Sequence, residues 1–167
     1  MNTVFYISAA VAVLATLLAV TRLNAVHALL YLIVSLLASA VVLFDLGAPF
    51  VAALEVIIYA GAIMVLFVFV IMMLNLGSPA PEQERRWLTP SEWVGPSLLA
   101  TILLLELIPV FTTSFGPANG MAVVDSRKVG LALFGPYVIA VELASLLLLA
   151  GLVGAYRLGR RATEGEG

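Results

Sequence analysis

The sequence predicts an all-α integral membrane bundle of five transmembrane helices, and three observations carry that reading. Of 167 residues, 63% are hydrophobic and only 11% are charged, whereas a soluble domain carries about a quarter charged residues. The mean hydropathy of +1.15 places the chain in the membrane class. The apolar residues also fall in long runs without alternation, such as residues 98–105 and 143–150, each interrupted by one hydroxyl residue. A transmembrane β-strand would alternate instead.

A bilayer core of about 30 Å needs roughly 20 apolar residues in a helix. Residues 1–21 carry no charge, so the first run lacks the basic region that opens a signal peptide and reads as a retained first helix. The five spans fall at about residues 4–20, 28–44, 50–75, 94–111 and 136–156, followed by a flexible C-terminal tail at about 158–167. The whole chain then forms a single membrane domain. Breakers set the boundaries. Gly47 and Pro49 make a short turn after the second span, Gly77 to Pro81 end the third, and Gly135-Pro136 puts proline in the first turn of the fifth. The connection before it, residues 112–134, has room for a short surface helix but not for a domain.

Lysine and arginine set the orientation. Arg22, Arg85, Arg86, Arg157, Arg160 and Arg161 fall on one side, against Arg127 and Lys128 on the other. The N-terminus is therefore expected outside, in the periplasm, and the C-terminus in the cytoplasm. Phe5, Tyr6, Phe44, Phe50 and Tyr137 suit the outer boundary; Tyr31, Trp87, Trp93 and Tyr156 suit the inner one.

Composition also removes whole classes of function. The absence of cysteine excludes disulfides, thiolate metal sites and cysteine nucleophiles. One histidine, His27, is too few for a histidine metal cluster. The net charge of −2 gives no basis for nucleic-acid binding. The chain contains no nucleotide-binding fingerprint and no catalytic triad.

Three carboxyl groups lie inside the spans: Glu55, Glu106 and Glu142. An acidic residue at a helix centre costs about 2.5–3.5 kcal/mol on insertion scales, less toward the ends. At about 1.5 Å per residue all three lie within roughly 10 Å of the outer boundary, and this chain has no basic residue in that layer. Either they line a water-filled path or a proton network shared with a neighbour, or they stay hydrated or protonated near the surface. Glu55 and Glu142 are the stronger candidates for a proton path.

The third span holds the most chemistry. Glu55 and Tyr59 are four apart and share a helix face. Tyr59 lies deeper than an interfacial anchor, so its hydroxyl needs a partner. Ala60-Gly61-Ala62 permits close approach of another backbone. No proline interrupts the span, so a kink requires Gly61 or a π-bulge. Taken by themselves these residues favour plain close packing around a glycine over a switch.

The run Glu55-Val-Ile-Ile-Tyr-Ala-Gly-Ala-Ile-Met-Val-Leu-Phe-Val-Phe-Val-Ile-Met-Met-Leu-Asn75 closely resembles the subunit J family of bacterial NADH-quinone oxidoreductase, or respiratory complex I. Its mitochondrial counterpart is NADH dehydrogenase subunit 6. A second, moderately specific match is Leu131-Ala-Leu-Phe-Gly-Pro-Tyr-Val-Ile-Ala-Val-Glu142-Leu-Ala-Ser145. With the five-helix plan, the resemblance covers most of the chain; residues 77–92 and 112–130 carry no matching motif.

The resemblance implies a non-redox membrane-arm subunit of a proton-translocating NADH:quinone oxidoreductase, in the inner (plasma) membrane. It implies K-, H- and N-type subunits as neighbours, with an A-type subunit as a further candidate. It also implies no redox cofactor in this chain: NADH, flavin, iron–sulfur clusters and quinone belong to the partners. In the family the third helix switches between a π-bulge and a regular α-helix, proposed to gate water. Carried over, the bulge region is Tyr59, Ala60, Gly61 and Ala62, and the gating candidates are Glu55, Tyr59, Gly61, Val65 and Glu142. Two other readings remain from the residues themselves: a small self-sufficient proton or cation transporter, and a subunit that only seals its neighbours. An equivalent subunit of a related proton-pumping complex is a third.

Overall fold

The computed structural model describes residues 3–74, 90–112 and 122–164. Asn75, the breakers Gly77 to Pro81, Arg85, Arg86 and Trp87 lie outside the described residues. Every regular element among those described is a helix. The elements are α1 (Thr3–Thr21), α2 (Ala25–Asp45), α3 (Pro49–Leu54), a π-helical segment (Glu55–Ile63), α4 (Met64–Leu74), α5 (Pro90–Thr112), α6 (Ser126–Leu133) and α7 (Val138–Glu164). Helices α3 and α4 with the π segment between them form one continuous third span.

Four described helices are long and apolar enough to cross a membrane: Thr3–Thr21, Ala25–Asp45, Pro49–Met73 and Val138–Arg160. Helix α5 contributes a shorter apolar stretch, Trp93–Ile108. The chain divides into two compact units, Met1–Val124 and Asp125–Gly167.

In the first unit, α1 packs along α2 and both receive α5. The core is Val11 and Ala15 of α1, Tyr31, Val34 and Ala38 of α2, and Leu99 and Leu103 of α5. Small residues bring the first two helices close, since Ala15 and Ala38 are completely buried. Hydroxyls tie the same interface. Thr16 Oγ1 and Ser35 Oγ lie 2.7 Å apart, and Ser35 donates to the Ala12 carbonyl at 3.0 Å.

The turns follow from their residues. Asn24 caps α2, its Oδ1 accepting the Val26 N–H at 2.9 Å. Helix α2 ends in a Schellman turn: Ala48 N–H donates to the Leu43 carbonyl at 3.1 Å and Gly47 N–H to Phe44 at 3.0 Å. Gly47 takes φ 83° there, which a side chain would resist. Pro49 then opens α3, where a missing N–H costs nothing.

The second unit is α6 and α7. Asp125 caps α6 through the Lys128 N–H at 2.9 Å, so the connection before α7 does carry a short helix. Two expectations shift here. Pro136 sits in the turn between the two helices, and α7 begins at Val138. The reason is that α6 runs close enough for Tyr137 N–H to donate back to the Ala132 carbonyl at 3.1 Å. At its far end α7 continues past Tyr156 to Glu164, so helix takes in much of the expected tail, where nothing stronger than Gly159 interrupts it. Its apolar residues, including Leu143, Leu147 and Leu148, are exposed within the chain. A helix apolar all round is built for lipid or for partner helices.

Candidate functional site

The third span starts as an ordinary helix, with Glu55 N–H donating to the carbonyls of Val51 and Ala52. From Glu55 to Ile63 the register widens to the π type, in which N–H groups reach back five residues. At the exit, Met64 N–H donates to the carbonyls of Tyr59 and Gly61. The regular α register resumes at Met64. Gly61 occupies the tight point of the widened turn: a Cβ there would stand 3.2 Å from the Val56 carbonyl oxygen, five residues back.

The structure brings Glu55, Tyr59, Ala60, Gly61 and Ala62 together in the π segment, with Val65 just past it. Glu55, Ala60 and Gly61 are half-buried; Tyr59, Ala62 and Val65 are exposed within the chain. Among the described residues no hydrogen bond reaches the Tyr59 hydroxyl. Met64, by contrast, is 2% exposed and packs inward where the α register restarts. The π segment packs against α2.

Beside it, an apolar cleft of about 420 Å³ opens between α2, the third span and α5. Its walls include Val41, Ala52, Val56, Leu103 and Leu107. A space so lined holds no fixed water by itself.

Glu142 belongs to the second unit, on α7, and is exposed. Its backbone carbonyl accepts the Ser145 hydroxyl at 2.7 Å. Among the described residues no group of three His, Asp or Glu side chains is arranged to hold a metal ion.

Two features were not singled out from the sequence. Ser8 of α1 donates to Glu106 Oε2 at 2.6 Å, and both residues are buried. Tyr31, expected as a boundary anchor, is 2% exposed, lying against Gly95 with the Arg22 guanidinium 5.4 Å from its ring centre.

Residues 15–158 match the family model of NADH-ubiquinone/plastoquinone oxidoreductase chain 6. The chain belongs to this family. Its relatives match over nearly their full lengths. It is 62% identical to NADH-quinone oxidoreductase subunit J of Pseudomonas aeruginosa, covering 96% of this chain and 98% of the relative. Against the subunit of the same name from Escherichia coli K12 the identity is 54%, covering 99% and 90%. For Buchnera aphidicola subsp. Schizaphis graminum it is 49%, covering 96% and 98%. As a chain 6 family member it is a subunit of an enzyme complex, and other subunits of that complex are its partners. The apolar helices suit the membrane part of such a complex.

Proposed function

We infer that this chain is the J-type membrane-arm subunit of a proton-translocating NADH:quinone oxidoreductase and that its third span is a conformational gate between quinone reduction and proton movement. The single observation that carries the gate is the π segment at Glu55–Ile63. In this reading the chain crosses the inner membrane five times, with a periplasmic N-terminus and a cytoplasmic C-terminus. The arginine count on its loops supports that orientation. K-, H- and N-type subunits, and an A-type subunit, are its proposed neighbours. NADH, flavin, iron–sulfur clusters and quinone are assigned to those partners rather than to this chain.

The mechanics follow from helix geometry. Taking one residue out of the widened register turns everything beyond it by about 100° and moves it by about 1.5 Å. Glu55 lies before the change and stays with α3. Met64 and Val65 lie after it and rotate, so the buried methionine and the exposed valine exchange environments. Beside the apolar cleft, such a turn makes or breaks a dry constriction, a recognised way to gate by dewetting. Tyr59 and Glu55 then supply the polar groups to which water attaches when the constriction opens. Glu142 is a second proton-path candidate on the fifth span. Two states within a few kcal/mol suffice for a gate.

The test is Gly61→Leu in the assembled complex, reading proton pumping and NADH:quinone electron transfer in the same vesicles. The gate requires pumping to fall more than assembly or electron transfer. Normal pumping in an assembled complex would remove the gating role.

A further inference from the structure

The second unit opens with a helix that the gate does not use. Helix α6 is short and amphipathic, with Arg127 and Lys128 at its start and leucines toward its end. Its Val129, Gly130 and Ala132 are partly buried, and α6 packs on α7. The opposite side is bare within the chain. Arg127, Leu131 and Phe134 follow at spacings of four and three, so they share that side. Leu131 and Phe134 are 65% and 75% exposed, and Tyr137, just beyond them, is 60% exposed. Large apolar side chains grouped in this way mark an interaction surface.

The chain's own connection says what meets it. Residues 134–137 alone separate α6 from α7, and the apolar span of α7 opens at once at Val138. That turn is tied at three points. Phe134 N–H donates to the Gly130 carbonyl at 3.0 Å, Tyr137 N–H to Ala132 at 3.1 Å and Val138 N–H to Gly135 at 3.3 Å. Helix α6 is therefore held at the membrane boundary, where its bare side meets headgroups and the first acyl carbons. Phe134 and Tyr137 suit that layer. An arginine on the same side lays its apolar stem on the lipid and keeps its guanidinium among the phosphates. Topology does not account for the cations, because the five-span plan puts Arg127 and Lys128 opposite the arginine-rich loops. Asp125 is the acid beside them, and its carboxylate accepts the Lys128 N–H at 2.9 Å. It offsets one of the two cations, so burial of the apolar side chains supplies most of the attraction and the charge selects the headgroup.

We propose that α6 is an interfacial anchor: Leu131, Phe134 and Tyr137 insert at the boundary between headgroups and acyl chains, and Arg127 binds the phosphate of a phospholipid there. The occupant of this surface is bilayer lipid and not another subunit. The anchor relies on α7 crossing the membrane but not on the gate, so the Gly61 variants do not bear on it.

The test places a diazirine amino acid at position 131, 134, 132 or 147 of this chain in the intact complex, reconstituted in vesicles of phosphatidylethanolamine and phosphatidylglycerol. After irradiation the subunit is analysed by mass spectrometry. The anchor requires phospholipid adducts at 131 and 134, severalfold more than at the partly buried 132. Capture of water or of another subunit at 131 and 134 overturns it. Position 147, midway along α7, reports on the span itself: capture of lipid or protein there, with water at 131 and 134, overturns the anchor and leaves the span standing. Positions 131 and 134 are independent, so either decides if the other variant fails to assemble. Arg127→Gln should lower the phosphatidylglycerol share of the adducts at 134, and an unchanged share overturns the role of Arg127.

Discussion

Placing a single methyl group at Gly95 tests how the first unit is held together. Tyr31 is almost completely buried, and its phenol ends against the backbone of Gly95. A Cβ at position 95 would stand well inside van der Waals contact of the Tyr31 hydroxyl oxygen and 3.0 Å from Cζ. No rotation of a methyl relieves that contact, so either α5 moves off α2 or Tyr31 leaves its site. Overpacking of this kind costs about 1–3 kcal/mol. Displacing Tyr31 also gives up the Arg22 contact over its ring, a further cost of about 0.5–1 kcal/mol. Gly95→Ala is therefore expected to lower the thermal midpoint of the detergent-solubilised complex and the yield of this subunit in it. Tyr31→Phe alone keeps the ring and should cost little. The double variant should regain about 1 kcal/mol relative to the sum of the single changes, because the phenylalanine removes the nearest clashing atom. Recovery stays partial because Cζ remains close. Wild-type stability in Gly95→Ala, or strict additivity in the double variant, would refute this packing.

Two further outcomes follow from the same contacts. At Gly135 a Cβ would come within 2.6 Å of the Leu131 carbonyl oxygen, which is backbone and cannot swing aside; Gly135→Ala should therefore open the turn before α7 and reduce incorporation of the subunit, measured by its ratio to other subunits in purified complex. Replacing Thr16 by Val and Ser35 by Ala should each destabilise modestly, with a coupling of about 0.6 kcal/mol in a double-mutant cycle, as for hydrogen bonds between membrane helices; no coupling would mean the two hydroxyls do not depend on each other.

The helical plan was readable because membrane spans announce themselves by length and hydropathy, and because Gly47 and Pro49 carry turn chemistry that needs no tertiary context. The last span was less readable at its edges. Pro136 is as suited to a tight turn as to a first helical turn, and only the approach of Tyr137 to the Ala132 carbonyl decides between them. The burial of Glu106 and Ser8 was hidden for a different reason. In a helix apolar on every side, periodicity does not show which face meets another helix, so a carboxyl's surroundings depend on packing alone. Small residues at Ser8, Ala12 and Ala15 were the available signal, since they mark the side of α1 on which another helix approaches closely. Tyr31 misleads in the same way: tyrosine is common at membrane boundaries, and its burial becomes visible only with Gly95 opposite. In the third span, glycine and the lack of proline allowed close packing and a widened turn alike, and the hydrogen bonds of Met64 separate the two.

The most direct measurement is the hydrogen-bond register of the third span in the assembled complex, imaged by electron cryomicroscopy at rest and during turnover. A gate requires two registers. Met64 N–H should bond to the Tyr59 carbonyl in one state and to the Ala60 carbonyl in the other, with the Met64 side chain turned by about 100° between them. One unchanged register at Glu55–Ile63 in both conditions, with pumping active, would contradict the gate.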